Sequence, residues 1–427
     1  MNKTYYERLD ETVYRSQLPN GLRLCVVPKK GFSRKCAYFV TNYGAIHTAY
    51  ALGDTKYRSP DGVAHYLEHQ MFSLPDRDVS EEFAAMGASP NAFTSYDMTA
   101  YYFTCTEQFY DCLKLLLEFV CTPYFTPESV EKERGIIEQE ILMYQDSPDS
   151  RVFELLLESL YAHHPVRFPI AGSVRSIQTI TPEILYACHR AFYCPANMML
   201  CVEGDVDPER VEALARAVLP REQLPVGEKD LGVPEQPTPH RRESVEEMDV
   251  SMPTFQLGFK CRGDLKGEAF ARWEAVGELA GEALFGESSR LYLELYEQGL
   301  IDSSFGGGLE TLDGAAVFTC GGDSNDPRAV REAVLARAAQ LAQTGISPEE
   351  LRRSKKSLLG RRIKDLDSFE SACFRLCAYA AEDYDYFSFP DAIESVEMEE
   401  IQQFLQETVR EERAALAIVT PRSQKEE

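Results

Sequence analysis

Positive charge is in short supply in this chain. Forty-four Lys and Arg stand against 69 Asp and Glu, which leaves a formal net charge of −25. A surface this acidic argues against binding nucleic acid through its phosphates, which takes clustered cations. Most of the acid clusters read as solvated helix faces. Long apolar runs are also missing. A spanning helix needs about 18 or more consecutive apolar residues, and no such run occurs, so no membrane span is expected. The opening Met1-Asn2-Lys3-Thr4-Tyr5-Tyr6-Glu7-Arg8 lacks the apolar stretch of a secretory signal, so the expected compartment is the cytoplasm. Twelve cysteines in 427 residues, with no Cys-x-x-Cys pair, are too sparse for a disulfide scaffold. Cys25, Cys105, Cys121, Cys201 and Cys320 lie in apolar or strand-like contexts, where a thiol serves as a small hydrophobe. Cys373 and Cys377 are spaced for one helix face, but no ligand-rich segment accompanies them. They are expected to be reduced core thiols rather than a second metal site.

The chain is long enough for more than one core. A polar, proline-rich stretch from about Pro220 to Ser251, with Pro225, Pro234, Pro237 and Pro239, reads as a linker. The expected division is residues 1–222, a linker 223–250, and residues 251–427. Strand-like runs at 21–28, 35–43, 91–105 and 197–203 alternate with helical patterns at 60–72, 79–87, 107–121, 126–144, 151–161, 182–192 and 208–218. The second half echoes this order, with strand-like 255–260, 315–320 and 414–419 among helical stretches. The fold class is therefore α+β: two homologous domains of mixed or antiparallel sheet packed with helices, suggesting an old duplication.

Histidine is scarce as well, at seven residues, yet two fall in one short stretch, Asp61-Gly62-Val63-Ala64-His65-Tyr66-Leu67-Glu68-His69. Positions i, i+3 and i+4 share a helix face, so two imidazoles and a carboxylate converge. Imidazole is a preferred zinc ligand, and a carboxylate beside the metal can take a proton from water. The His-x-x-Glu-His order is the inverted form of the commoner zinc helix. A catalytic site needs a third protein ligand. The helix expected to begin at Thr126-Pro127, with Thr126 as its cap, carries Glu133-Arg134-Gly135-Ile136-Ile137-Glu138-Gln139-Glu140. Glu133 and Glu140 are two turns apart on one face, whereas Glu138 lies ~160° from Glu140. Either Glu133 or Glu140 could bind metal, with the other orienting a histidine.

These segments resemble the pitrilysin/insulinase family of zinc metallopeptidases, which includes mitochondrial processing peptidase. The resemblance spans nearly the whole chain. His65 to His69 matches the inverted zinc motif and Glu133 to Glu140 the acidic helix. Asn91-Ala92-Phe93-Thr94 matches a segment beside the active site, and His164-Pro165, Ile170-Ala171-Gly172-Ser173 and Asn197 to Asp205 match further landmarks. The resemblance implies a mitochondrial processing peptidase-like metallohydrolase fold of the half-length bacterial type. It implies one Zn²⁺ per chain, held by His65, His69 and Glu140, with Glu133 supporting and Glu68 as the catalytic base. It also implies a peptide substrate bound as an added strand in a closed chamber, with Asn91 and Ala92 as backbone contacts.

Active assemblies of the family carry an Arg and a Tyr opposite the metal. Here Tyr296 stands where the Arg is expected and Asp302 near the Tyr position. The resemblance therefore implies a metal-bearing subunit paired with a homologous chain that supplies the Arg and Tyr, or otherwise a homodimer. The reaction expected is endopeptidase hydrolysis. Two other readings accompany it. One is a non-proteolytic scaffold or assembly protein, since fold does not fix function. The other is a processing peptidase for one dedicated peptide, in a group of which some members are named for a link to elongation factor P modification. His47, His164 and His189 are expected to serve as structural hydrogen-bonders and Tyr101-Tyr102-Phe103 as core packing. Trp273 is assigned no function.

Overall fold

The computed structural model describes residues 1–74 and 77–422. They form two compact units. Unit 1 comprises Met1–Ile141, Pro169–Leu231 and Ile363–Phe387; unit 2 comprises Leu142–Phe168, Gly232–Arg362 and Ser388–Glu427. The fold is α+β, as expected, but each unit also takes a segment from the other half of the sequence.

Unit 1 is built on a seven-stranded sheet in the order Asn2–Tyr6, Glu11–Gln17, Arg23–Pro28, Met198–Gly204, Lys35–Thr41, Thr99–Cys105 and Ser89–Thr94. The two central strands are rich in β-branched, aromatic and sulfur-bearing residues. Met198–Gly204 is buried along its whole length. Arg23–Pro28 and Met198–Gly204 pair in parallel, and the other neighbours are antiparallel. Unit 2 has a five-stranded sheet in the order Glu243–Met248, Ala414–Pro421, Thr254–Cys261, Ala315–Asp323 and Gly306–Leu312. Its first pair is parallel and the rest are antiparallel. The last five strands of unit 1 follow the same order and the same parities, so the duplication read from element order is present in the sheet topology.

A helix covers each sheet from the far half of the sequence. Phe369–Ala381 packs on Met198–Gly204 and Lys35–Thr41 in unit 1. In unit 2, Pro148–Leu160 packs on Ala414–Pro421 and Thr254–Cys261. Gly258 sits mid-strand because a Cβ there would stand 2.8 Å from Leu156 Cδ2. Cys373 and Cys377 lie buried on the inner face of Phe369–Ala381, and all twelve cysteines are free thiols.

The stretch expected as an exposed linker, 223–250, contributes two strands, Glu228–Lys229 and Glu243–Met248. Ser244 to Met248 alternates half-buried and exposed residues, as an edge strand does, although its charge made it read as solvated. In the same stretch Glu235 accepts the His164 and His163 N–H groups and pairs with the buried Lys260 ammonium at 3.0 Å. Burial pushes the Glu235 carboxyl up, but these donors outweigh it and hold its pKa down at about 2. A depressed carboxylate pKa stabilises the fold above the group's ordinary value of 4.5, and that stability is lost as pH falls toward 2. Glu235→Gln is expected to lower the unfolding free energy at neutral pH by roughly 2–4 kcal/mol. It should also flatten the fall in stability between pH 4.5 and 2; chemical denaturation across that range measures both effects.

Candidate metal centre

The motif helix is Val63–Met71, and every residue on it except His69 is buried. Its entry is tight. Gly62, at φ +88°, caps the helix, and a Cβ there would meet Ala171 O at 2.4 Å. Gly172, at φ +74°, closes reciprocally on Asp61 O, which also accepts Ser176 Oγ at 2.8 Å. Only glycine has both the dihedral freedom and the absent side chain for such a backbone crossing. The 170–173 segment thus braces the start of the motif helix.

The acidic helix, Pro127–Gln145, opens with reciprocal caps. Ser129 N donates to Thr126 Oγ1 and Thr126 N to Ser129 Oγ, both at 3.1 Å. Two side chains from the motif helix clasp its first turn. Tyr66 OH donates to Val130 O, and Gln70 Nε2 donates to Ser129 O at 3.1 Å. Seating the helices this way brings His65, His69 and Glu140 together, with one donor atom of each lying within 4.8 Å of the others.

Glu140 Oε1 lies 3.5 Å from His65 Nε2, and Glu140 Oε2 lies 3.4 Å from His69 Nε2. Ligands at ~2.1 Å around a tetrahedral ion stand roughly 3.4 Å apart, so this is the spacing of groups sharing a cation. It is long for a direct N–H···O bond. Glu133 Oε1 sits 2.9 Å from the other nitrogen of His69, Nδ1, as an orienting carboxylate does. The spacing argument left Glu133 and Glu140 open. The fold puts Glu140 against both imidazoles and Glu133 behind one of them. Glu138 is not in the cluster.

Glu68, nine-tenths buried, accepts a 2.6 Å hydrogen bond from Thr94 Oγ1. Burial raises its pKa, partly countered by Thr94 and the two imidazoles, with Glu140 adding to the rise. His69 is also raised. Burial disfavours its charged form, but Glu133, Glu68 and Glu140 outweigh that. Three carboxylates crowded on two imidazoles repel one another, and a divalent cation among them relieves that repulsion. The donor set fits such an ion.

Thr94 was the residue that sequence reasoning passed over. The only available signal was strand alternation, which puts it on the same face as Ala92. Ala92 packs against the core, while Asn91 is exposed and its Oδ1 accepts the Ala92 N–H at 2.9 Å. Both lie on Ser89–Thr94, the edge strand that packs on the motif helix. Tyr101 and Phe103 are fully buried, as expected of core residues. The remaining candidate histidines are structural. His47 Nδ1 accepts Gly44 N–H at 2.9 Å, His164 Nδ1 accepts Val166 N–H at 3.2 Å, and His189 Nε2 meets Val120 O at 3.0 Å.

Comparison with known proteins gives this geometry its family. The family model described as insulinase (peptidase family M16) matches residues 54–174, and the M16 inactive-domain model matches residues 179–358. An uncharacterized zinc protease of Bacillus subtilis, YmfH, is 38% identical over 98% of this chain and 99% of its own. The chain belongs to the M16 insulinase family. A second B. subtilis relative, the uncharacterized zinc protease YmxG, is 25% identical over 75% of the chain and 79% of its own. A crystal structure described as an M16-like peptidase from Alicyclobacillus acidocaldarius superposes with a TM-score of 0.92 at 32% identity, covering 96% of this chain and 98% of that one. At greater distance, a chain of complex III from Candida albicans reaches a TM-score of 0.76 at 12% identity, covering 95% of each chain, which shows a shared fold alone. The metal cluster lies within the insulinase match, and the inactive-domain match holds only His189 and His240 among histidines.

If Glu133 orients His69, Glu133→Gln is expected to weaken zinc binding by ~10–100-fold and Glu138→Gln to leave it unchanged. Competition against a chromophoric chelator measures both.

Proposed function

We propose that this M16 chain is a zinc-dependent endopeptidase that hydrolyses peptides or small proteins bound as an added strand in a closed chamber. The observation that carries the reading is the meeting of His65, His69 and Glu140 beside a buried Glu68. The zinc-protease names of its relatives support the choice of ion. His65, His69 and Glu140 would hold one Zn²⁺. When bound, the ion supplies Lewis acidity toward a carbonyl and toward water.

Glu68 takes the proton of the attacking water and passes it to the leaving amine. Thr94 fixes the carboxylate for that transfer through its 2.6 Å hydrogen bond. Glu133 holds the His69 ring through Nδ1, leaving Nε2 turned to Glu140, where it would serve as a ligand. The Ser89–Thr94 strand has no neighbour on its outer side among the described residues, so a peptide can pair there through Asn91 and Ala92. Affinity then comes mainly from backbone hydrogen bonds. A scaffold role would place no demand on this complete donor set.

The assembly we favour is a heteromer. Tyr296 is an exposed residue on Arg290–Glu297, and the Asp302 carboxylate accepts Ser304 N–H and Oγ–H at 2.8 and 2.6 Å. An ionised carboxylate cannot donate a hydrogen bond to a developing oxyanion. A homologous partner with an Arg and a Tyr would supply those donors. Twelve unpaired thiols fit a reducing compartment, in keeping with the cytoplasm. No helix among the described residues is long and apolar enough to cross a membrane.

Glu68→Gln is expected to keep stoichiometric zinc yet lose ~10²–10⁴-fold in peptide turnover, read by metal analysis and a quenched-fluorescence peptide assay. Equal turnover by variant and wild type would defeat the reading. The purified chain alone should turn over peptide weakly and gain activity with its partner. Robust cleavage by a monomer or homodimer would rule out the heteromer.

A further inference from the structure

The edge strand beside Glu68 has a second face. Thr94 points to the motif helix, so its neighbour Phe93 points to the opposite side of the sheet. A row of aromatics crosses that side. Tyr38 stacks on Tyr102 with ring centroids 4.3 Å apart, Phe93 meets Tyr102 at 6.3 Å, and Phe374 meets Phe93 at 5.7 Å in an edge-to-face contact. Phe374 projects from Phe369–Ala381, the helix contributed by the second half of the sequence, and is 38% exposed. A single exposed phenylalanine is ordinary on a protein surface. This one ends an aromatic row at the unpaired edge of the sheet, one strand position from the residue that binds Glu68.

We infer that Phe374, with Phe93, forms an apolar subsite that selects a side chain of the bound peptide. The inference deepens the peptidase reading and rests on the peptide adding to the Ser89–Thr94 edge. An added strand runs ~4.8 Å outside its neighbour with alternating side chains, so every second peptide residue points away from Glu68 and toward this face. A residue there is the cross-strand neighbour of Phe93 and lies within reach of Phe374. Aromatic and large aliphatic side chains continue the row, whereas charged ones would be desolvated without a partner. Strand affinity through the backbone carries little sequence preference, so this contact supplies selectivity at one position.

The test uses a randomised peptide pool and two readouts. Wild-type zinc-loaded protein is assayed for cleavage sites, and Glu68→Gln protein for retained peptides. Phe, Tyr, Leu and Met should be enriched about five-fold at one position within two residues of the cut. Phe374→Ala should abolish that enrichment at that position alone, with zinc content unchanged, and Phe374→Glu should replace it with Lys and Arg. Enrichment among peptides retained by Glu68→Gln, with no cleavage by wild type even at enzyme concentrations and incubation times that reveal the weak turnover expected of the chain alone, would uphold the subsite and sink the hydrolysis. Cleavage whose sequence profile neither Phe374 substitution alters would overturn the subsite and leave the hydrolysis standing. Absence of both retention and cleavage would overturn both.

Discussion

The site depends on how two helices, distant in sequence, seat against each other. The motif helix is almost wholly buried, so the core fixes its axis and rotation. Tyr66 and Gln70 then clasp the first turn of the acidic helix, setting how far that helix slides along its partner. A shift of one turn, ~5.4 Å, would carry Glu140 out of reach of both imidazoles. The crossing of Gly62 and Gly172 serves the same end, since any side chain there would lift the helix entry from its bed. Packing thus holds the three candidate ligands together, as a preorganised centre requires.

Electrostatics sharpen this geometry. Glu68, Glu133 and Glu140 lie close around two imidazoles. Burial raises the Glu68 carboxyl, with Glu140 adding to the rise, and the three carboxylates together favour a charged His69 against its burial. An excess of negative charge of this kind suits a cation. The duplicated sheet of unit 2 makes the contrast clear. It repeats the strand order and parities of unit 1, yet Gly267–Phe285, which packs on its edge strand, contains no histidine. One topology has been used twice, and among the described residues the His65–His69–Glu140 cluster occurs in one copy.

Much of this was legible in the sequence. The motif announces itself because its three residues are local and helix periodicity alone puts them on one face. Excluding Glu138 needed only the same periodicity. Choosing between Glu133 and Glu140 did not follow from spacing, because residues two turns apart share a face and the depth of helix docking decides which meets the metal. Thr94 stayed hidden since its role depends on one strand lying beside another element. The exchange of 142–168 and 363–387 between units was not visible either, because helical periodicity says nothing about which sheet a helix covers. Glu243–Met248 was read as linker because an edge strand with one wet face has a linker's composition.

Anomalous diffraction at the zinc absorption edge, on crystals of protein stripped with chelator and reconstituted with zinc, tests the central claim most directly. The account predicts one strong peak per chain, ~2.1 Å from His65 Nε2, His69 Nε2 and a Glu140 carboxylate oxygen, with Glu133 still on His69 Nδ1. A map with no peak there, or with Glu140 turned away from the two imidazoles, would contradict it.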